Sequence, residues 1–325
     1  LHLLIASKGY DKYFRDLNAV VVDEWHELMG SKRGVLMELA LSRLRALRPE
    51  LKTWGISATI GNMEEAVDVL LGPSFPKKQA KLIRAQIEKK VVVESIFPDN
   101  VHELPWAGHL GIRLLEKIIP VIEKSTSTII FTNTRSQAEI WYQRILEVAP
   151  ELAGVIAMHH GSISQELRHW VEDALYDGRL KAVVSTSSLD LGVDFRPVET
   201  VIQIGGPKGM ARFLQRAGRS GHRPGATSKI YFLPTHSLEL VEAAALREGI
   251  NRKIIEERVP YIRSFDVLVQ YLQTLAVSEG FYQEQTFREV RSTFSYNSIS
   301  EDEWRWMLRF ITTGGPALHA YDEYR

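Results

Sequence analysis

Short runs of β-branched and other apolar residues alternate with longer stretches in which apolar positions recur every three or four residues. A short apolar run bounded by turn residues predicts a strand, and the longer spacing predicts a helix with one face on the core. The predicted strands, the first of them buried and the third at a sheet edge, cover residues 18–22, 53–56, 90–97, 127–131, 155–158, 182–184, 200–204 and 228–233.

Helical spacing predicts helices between these strands, over residues 31–47, 108–122 and 165–176. A further helix is predicted to run through residue 148 from a capping box formed by Ser136 and Glu139. Because strands that alternate with helices are typical of βαβ units, the pattern favours an α/β fold with a parallel, doubly wound sheet.

The pattern becomes mainly helical from about residue 237. Helices are predicted over 237–247, 265–278 and 301–311, and the last begins at a capping box of Ser300 and Glu303. The Phe-Tyr-Gln sequence at 281–283 is predicted as a short strand. Helices with one short strand are compatible with a winged-helix module. We therefore predict three domains, over residues 1–88, 89–236 and 237–325.

Composition excludes several classes of protein. The 325 residues carry no net charge and include no cysteine, which excludes disulfides and cysteine-ligated metals and suits a reducing cytoplasm. The longest apolar runs fall well short of the ~20 residues that a membrane span needs, so we expect no membrane partner. His159 and His160 are neighbours on a strand and point to opposite faces, so we expect no shared metal there.

Acidic and hydroxyl residues follow the first two predicted strands. Asp23 and Glu24 come directly after the first, at the edge where open α/β sheets bind ligands. One carboxylate there can hold Mg²⁺ and the next can orient or deprotonate a water. Ser57, Ala58 and Thr59 leave the second strand, where hydroxyls can bond a neighbouring carboxylate or relay a movement. The alternative is an ordinary solvated strand end and turn.

A basic segment lies in the second predicted domain. Residues 215–223 read Gln-Arg-Ala-Gly-Arg-Ser-Gly-His-Arg, and no Asp or Glu occurs from 200 to 238. Glycines allow tight turns and guanidinium groups bind phosphate oxygens in pairs, so the segment favours a phosphate site. A solvated basic helix and loop is the alternative. The basic segment as a whole, residues 200–238, carries the cations Lys208, Arg212, Arg216, Arg219, Arg223 and Lys229.

The order of these motifs resembles the two RecA-like domains of superfamily 2 helicases. Five stretches match their motifs II to VI in turn: 23–26, 57–59, 130–135, 186–194 and 215–222. The sequences of these motifs are similar to those of the large helicase-related (Lhr) family, and more closely to those of its bacterial ligase-associated DEXH-box branch. The resemblance implies two RecA-like parallel-sheet domains, the first incomplete, followed by a mainly helical winged-helix domain.

The resemblance implies roles at a nucleotide. Asp23 would coordinate Mg²⁺, and Glu24 would be the base for the attacking water of ATP hydrolysis. His26 and Gln215 would bridge the two domains across the nucleotide. Three further residues would contact it: Gly192 would allow close approach, Asp194 would bind the ribose, and Arg219 would be the arginine finger.

The same resemblance implies coupling and nucleic-acid residues. Ser57 and Thr59 would couple hydrolysis to movement. Contacts to the nucleic-acid backbone, which position a strand without reading its sequence, would come from Thr132, Arg135, Gly161 and Thr186.

Two features depart from the family pattern. His222 stands where many members have a second arginine, and Arg223 follows in another direction, so the roles of both stay open. The sequence has no Gly-x-x-x-x-Gly-Lys-Ser/Thr loop, which cradles phosphate in the family. We expect a fragment that begins after that loop and is inactive alone.

The predicted function is therefore that of an ATP-dependent DNA helicase or translocase. The family implies 3′-to-5′ movement on single-stranded DNA, or on a duplex with a single-stranded tail, with ATP and Mg²⁺ as cofactors. It also implies a role in DNA repair at the nucleoid, with DNA ligase or nuclease partners. The alternatives are a non-catalytic module that binds nucleic acid or a repair partner, and an RNA helicase.

Overall fold

The computed structural model describes residues 1–58, 60–84, 90–99, 111–190, 198–221, 227–252 and 254–315. Its strands are β1 (Ala19–Val22), β2 (Lys52–Gly55), β3 (Val91–Ser95), β4 (Thr128–Phe131), β5 (Ile156–His159), β6 (Ala182–Ser185), β7 (Thr200–Ile204) and β8 (Ser228–Leu233). The first seven helices are α1 (His2–Ile5), α2 (Tyr10–Tyr13), α3 (Trp25–Leu28), α4 (Lys32–Leu47), α5 (Met63–Leu71), α6 (Leu115–Lys124) and α7 (Arg135–Val148). The remaining six are α8 (Gln165–Tyr176), α9 (Met210–Ala217), α10 (Leu238–Arg252), α11 (Phe265–Ser278), α12 (Gln283–Arg291) and α13 (Glu301–Thr313).

The chain forms two compact units. Unit 1 combines Leu1–Arg84 with Glu256–Arg325, and unit 2 is Ala85–Ile255. The predicted domain boundaries at 88 and 236 stay predictions. In the described residues, none of the helices combines the length and the apolar character that crossing a membrane requires.

Unit 1 is organised around α4. Ser31 caps the start of this helix by accepting the Gly34 N–H at 3.2 Å. Its apolar side packs with the C-terminal helices, so Leu39 shares one core with Leu272 and Met307. Because these residues come from both ends of the sequence, the two segments of unit 1 share this core, which neither segment provides alone.

The two-stranded sheet of unit 1 is covered on one face. Strands β1 and β2 pair in parallel, and Val20 and Val22 pack on the core. Ala19 and Val21 are exposed, so the prediction of a wholly buried first strand is wrong for these two residues. Side chains of a strand alternate between faces, and only one face is covered by the described helices.

Unit 2 contains a six-stranded sheet of order β3-β8-β7-β4-β6-β5, in which every pairing is parallel. Strand β3 stands at one end of this order, next to β8, which confirms the predicted edge strand among the described residues. Helices α6 and α7 pack on one face of the sheet, and α8, α9 and α10 pack on the other. The predicted parallel, doubly wound α/β architecture is therefore confirmed.

Two local predictions are wrong. Helix α7 begins at Arg135, and its cap is Thr134, whose hydroxyl accepts the Gln137 N–H at 3.2 Å. Ser136 therefore lies inside the helix and forms no capping box with Glu139. No strand occurs at 281–283 or elsewhere within the described part of the C-terminal segment, residues 254–315, because Tyr282 caps α12 there.

Candidate nucleotide and nucleic-acid sites

The turn after β1 carries the predicted nucleotide carboxylates. Asp23 is exposed, and its Oδ1 accepts the Glu24 N–H at 2.9 Å. Glu24 adopts a left-handed conformation with φ of 49°, which costs energy for a residue with a side chain. The next N–H, of Trp25, donates to the Ile56 carbonyl at 2.9 Å and ties the turn to β2. The backbone thus fixes both carboxylates at the carboxyl end of the sheet.

His26 connects this turn with the predicted coupling segment. Its ring is buried, and Nδ1 accepts the Ala58 N–H at 3.1 Å. Nδ1 lies 3.4 Å from Glu24 Oε2, and Nε2 lies 3.7 Å from Glu27 Oε1. Burial lowers the pKa of His26, although the carboxylates of Glu24 and Glu27 act in the opposite direction. A neutral ring with its proton on Nε2 fits both the burial and the bond at Nδ1.

The coupling segment itself is only partly described. The Ser57 hydroxyl donates to the Ala58 carbonyl at 2.7 Å, so it shapes the turn after β2. Thr59 lies outside the described residues. The structure therefore brings Ala58 to His26, while the proposed relay through Ser57 and Thr59 stays a prediction.

In unit 2, Arg216 is a buried structural residue. Its guanidinium donates to both carboxylate oxygens of Asp190, at 2.8 and 3.1 Å, and to Gln203 Oε1 at 2.6 Å. The same group lies 4.6 Å from the ring centre of Phe131. The expectation that all cations of the basic segment face phosphate is therefore wrong for Arg216. The missed signal is Asp190, which supplies the counter-charge from outside the segment.

Arg219 lies at the end of the same motif and is half-buried. Its Nη2 donates to the Asp190 carbonyl at 2.5 Å, and its own carbonyl accepts the Val198 N–H at 3.2 Å. Gln215, one helical turn earlier, is also half-buried. Asp190 thus holds both arginines, one by its side chain and one by its backbone. Gly192, Asp194, His222 and Arg223 lie outside the described residues.

Three of the four predicted nucleic-acid residues follow adjacent strands at one edge of the sheet: Thr132, Gly161 and Thr186 lie beyond β4, β5 and β6. Gly161 is exposed and Thr186 is half-buried. Thr132 is buried, and its hydroxyl lies 3.2 Å from the Thr134 carbonyl and 3.3 Å from that of Ser185. A backbone role for Thr132 stays a prediction, and its side chain stabilises the strand end.

Arg135 is exposed at the start of α7, at the same edge. Its Nε donates to Glu139 Oε1 at 2.7 Å, and the same oxygen lies 3.7 Å from Nε2 of the buried His160. His160 Nδ1 accepts the Ser162 N–H at 3.3 Å, which fixes the loop beside Gly161. These contacts place Arg135 and the loop of Gly161 near each other, around Glu139 and His160.

His159 faces the other side of the sheet. Its Nε2 lies 3.0 Å from Glu172 Oε1 on α8, and its Nδ1 lies 2.7 Å from the Ser188 hydroxyl. His159 therefore bonds to Glu172 of α8, whereas His160 lies beside Glu139 of α7, as the alternation of side chains along a strand requires. Among the described residues no group of three or more potential ligands that could hold a metal ion is found.

Three family models match successive parts of the chain. The DEAD/DEAH box helicase model matches residues 1–66, and the helicase conserved C-terminal domain matches 111–224. The winged helix domain of the large helicase-related protein matches 248–325. With the parallel sheet and the motif order, these matches define the class as the superfamily 2 helicases.

Individual relatives agree with the class that the family models define. ATP-dependent helicase Lhr-Core protein 2 of Thermococcus barophilus is 33% identical over 316 residues, which cover 96% of this chain and 36% of that protein. The solved structure of the Mycobacterium smegmatis helicase Lhr bound to ssDNA and AMP-PNP aligns with a TM-score of 0.84 at 30% identity, covering 95% of this chain and 40% of that one. The chain belongs to the large helicase-related (Lhr) family. Membership of the ligase-associated branch stays a prediction.

The match to longer relatives is partial in length. The Lhr helicase/uracil glycosylase of Escherichia coli is 30% identical over 92% of this chain, which spans 22% of that protein. The chain thus spans 36% of the length of the first of these two curated relatives and 22% of the second.

Proposed function

We propose that the full-length protein is an ATP-dependent helicase that couples hydrolysis to movement on single-stranded DNA. The observation that carries this proposal is the turn after β1, where Glu24 is held in a left-handed conformation beside a buried His26. His26 in turn accepts a backbone bond from Ala58, in the segment that the family uses for coupling.

The residues of unit 1 fit a magnesium nucleotide. Asp23 offers an exposed carboxylate, and carboxylate oxygens are the ligands that Mg²⁺ prefers. When bound there, Mg²⁺ would neutralise phosphate charge. Glu24 would take the proton of the attacking water, and the neutral ring of His26 would hold the backbone of Ala58 in place.

Unit 2 would supply charge stabilisation and the grip on the nucleic acid. Arg219 would act on the terminal phosphate as arginine finger, a role that changes rates by about 10³–10⁵-fold in other NTPases. The exposed Arg135 and the Gly161 loop would contact strand phosphates, which position the strand without reading its sequence. The relative from M. smegmatis, solved with ssDNA, supports a single-stranded ligand.

The finer properties rest on family resemblance alone. We propose 3′-to-5′ movement, a role in DNA repair at the nucleoid, and ligase or nuclease partners on that ground. Because the proposed contacts are to phosphates, DNA and RNA strands of matched sequence must be compared directly.

The test measures ATP hydrolysis by the full-length protein with and without single-stranded DNA, and with matched RNA. Glu24→Gln is expected to lower DNA-stimulated turnover by at least about 100-fold, the size of a lost general base. Arg219→Ala is expected to lower it by about 1,000-fold. Arg179→Ala is the control and is expected to match the wild type, because this exposed arginine of unit 2 pairs with Asp177 and lies outside the motifs. Hydrolysis without DNA dependence, or undiminished activity in the Glu24 and Arg219 variants, refutes the proposal.

A further inference from the structure

Residues 256–263, which we call the strap, lie against the residues that follow the second strand of unit 1. The Asn62 side chain forms two hydrogen bonds with the backbone of Arg258. Asn62 Oδ1 accepts the Arg258 N–H at 2.9 Å, and Asn62 Nδ2 donates to the Arg258 carbonyl at 2.9 Å. The neighbouring Gly61 N–H donates to the Glu256 carbonyl at 3.0 Å. Three bonds to main-chain groups thus pair the strap with the residues just after the predicted coupling segment.

The side chain of Arg258 continues this connection toward the nucleotide residues. Its Nη2 lies 3.4 Å from Glu27 Oε1, and that oxygen lies 3.7 Å from His26 Nε2. His26 is the residue whose Nδ1 accepts the Ala58 N–H. Polar contacts thus run from the strap to Glu27 and from His26 to the coupling segment. Glu27 and His26 are neighbours on α3, and their 3.7 Å approach, which is longer than a hydrogen bond, brings the two sets of contacts together.

A close backbone approach just after the end of α3 adds to these contacts. Gly30 has φ of 74°, and a Cβ there would lie 2.8 Å from the Val259 carbonyl oxygen. The strap is therefore in van der Waals contact with the chain that leaves α3, and a side chain at position 30 would push it away. Asn62 and Gly30 hold successive residues of the strap, Arg258 and Val259.

The far end of the strap is joined to the C-terminal helices. The Arg263 N–H donates to the Ser295 carbonyl at 2.8 Å, and its guanidinium forms an ion pair with Glu303 at the start of α13. Arg263 is itself left-handed, with φ of 56°. Both ends of an eight-residue segment are thus bonded, one to the Asp23–Asn62 region and the other to α13 and the connection that precedes it.

We propose that Asn62 and Arg258 are positioning residues that couple the C-terminal helices to the nucleotide residues of unit 1. Movement of those helices would pull on the strap, and the strap would shift Glu27, His26 and the Ala58 backbone. The inference rests on the proposed function, since it concerns how hydrolysis is linked to work on DNA. It assigns the link to two residues outside the helicase motifs.

The alternative is that the strap only holds the segments of unit 1 together. Lys32 and Asp266 provide the matched comparison, because this exposed ion pair also joins the N-terminal and C-terminal segments and is not part of the contacts to His26. A purely structural strap predicts that Asn62→Ala, Arg258→Ala and Lys32→Ala act alike.

The experiment uses the full-length protein and measures ATP hydrolysis and strand separation in the same reactions. Asn62→Ala and Arg258→Ala are expected to leave the KM for ATP within about twofold and to lower base pairs separated per ATP by about tenfold, within the usual range of coupling between sites. Lys32→Ala is expected to match the wild type. The charge swap Glu27→Arg with Arg258→Glu is expected to restore most of the lost coupling.

The outcomes separate the two proposals. Thermal unfolding is recorded for every variant, and Arg258→Gln, which keeps the side-chain length, replaces any variant that does not fold. If the wild type hydrolyses ATP in a DNA-dependent way and the strap variants keep its base pairs per ATP, only the strap proposal is overturned. An equal loss in Lys32→Ala overturns it too. A wild type without DNA-dependent hydrolysis refutes the proposed function and the strap proposal together.

Discussion

At the residue scale, two arginines three positions apart in one motif serve different purposes. Arg216 is buried and bonded to Asp190 and Gln203, whereas Arg219 is half-buried and bonded to a backbone carbonyl. Removing one partner of a buried ion pair leaves an uncompensated charge in the core. The stability of unit 2 therefore depends on Arg216, whereas Arg219 has the partly exposed side chain that the proposed arginine-finger role needs.

Arg216→Ala is expected to destabilise unit 2 by about 3–5 kcal/mol, the usual cost of breaking a buried pair. Arg212→Ala is expected to cost at most about 1 kcal/mol, since that side chain is half-exposed. Urea denaturation, followed by hydrogen exchange of the β4, β6 and β7 amides, measures both. Equal effects of the two substitutions would mean that the Asp190 pair contributes little.

Glu38 makes the stability of unit 1 depend on pH. Its buried carboxylate accepts the Ser295 N–H at 2.9 Å, and burial raises its pKa from 4.5 to about 7, although the bonds from Ser295 act in the opposite direction. The Ser295 hydroxyl lies 2.7 Å from both Glu38 Oε1 and the Tyr261 carbonyl. A protonated Glu38 can donate to that hydroxyl, which then donates to Tyr261, so the neutral acid satisfies every group.

The direction in which stability changes with pH follows from proton binding. Between pH 4.5 and about 7 the folded protein binds the Glu38 proton more tightly than the unfolded chain does, so stability is fully present at the acid end and falls as pH rises. Glu38→Gln mimics the neutral acid and is expected to match the wild type near pH 4.5 and exceed its stability at pH 8. Denaturation midpoints of the wild type and Glu38→Gln across this pH range test the prediction. Glu301→Gln, at an exposed position, is the control. Parallel pH curves for wild type and Glu38→Gln would contradict it.

The sequence predicts the candidate site residues better than it predicts the distant residues that bond to them. Asp23, Glu24 and His26 follow one strand, so local pattern places them together, and the structure does so. Arg258 and Glu27 are 231 positions apart, and Arg216 and Asp190 are 26 apart. Such partners meet only through the fold, and no periodicity within one element reveals them.

At the scale of elements, strong periodicity gives accurate bounds. The predictions for 165–176, 200–204, 228–233 and 265–278 coincide with α8, β7, β8 and α11. The failures fall where the signal is short. Phe281 and Tyr282 have strand propensity, yet Gly280 follows α11 with φ of 76° and Tyr282 is the N-cap residue of the next helix. A short aromatic run cannot by itself distinguish a strand from a connection.

The cap of α7 provides a direct test of such a boundary. Thr134→Ala is expected to destabilise unit 2 by about 1 kcal/mol, because the Gln137 N–H loses its acceptor. Ser136→Ala is expected to be within about 0.5 kcal/mol of the wild type, since Ser136 is exposed inside the helix. Chemical denaturation compares the two. A larger loss for Ser136→Ala would restore the capping box predicted from the sequence.

At the scale of the whole molecule, long-range contacts join segments that the sequence pattern separates. The helices from 265 onward have their own apolar periodicity, which favours an independent module. Their core is shared with α4, and Ser295 bonds to Glu38 across 257 positions. Hydrophobic pattern shows that each face must be buried but not which segment covers it, so this association could not be predicted from the sequence.

The isolated 325-residue chain is expected to show negligible ATP hydrolysis. In the proposed function, Asp23, Glu24 and Arg219 would act on the phosphates of a nucleotide, and a nucleotide must first be bound in a fixed position for such groups to accelerate its hydrolysis. Family members bind it with a glycine-rich loop whose backbone N–H groups and lysine cradle the phosphates, and this sequence contains no such loop. Without such a loop, we expect the nucleotide not to be held in a fixed position beside these carboxylates and this arginine.

The measurement compares the purified chain with the full-length protein at saturating single-stranded DNA. The Glu24→Gln form of each is the control, because turnover that persists in it comes from a contaminant. Glu24-dependent hydrolysis by the chain alone would contradict the prediction, since the groups present would then suffice to hold the nucleotide. Its absence, with DNA-dependent turnover in the full-length protein, would show that the catalytic carboxylates depend on phosphate-binding residues outside this sequence.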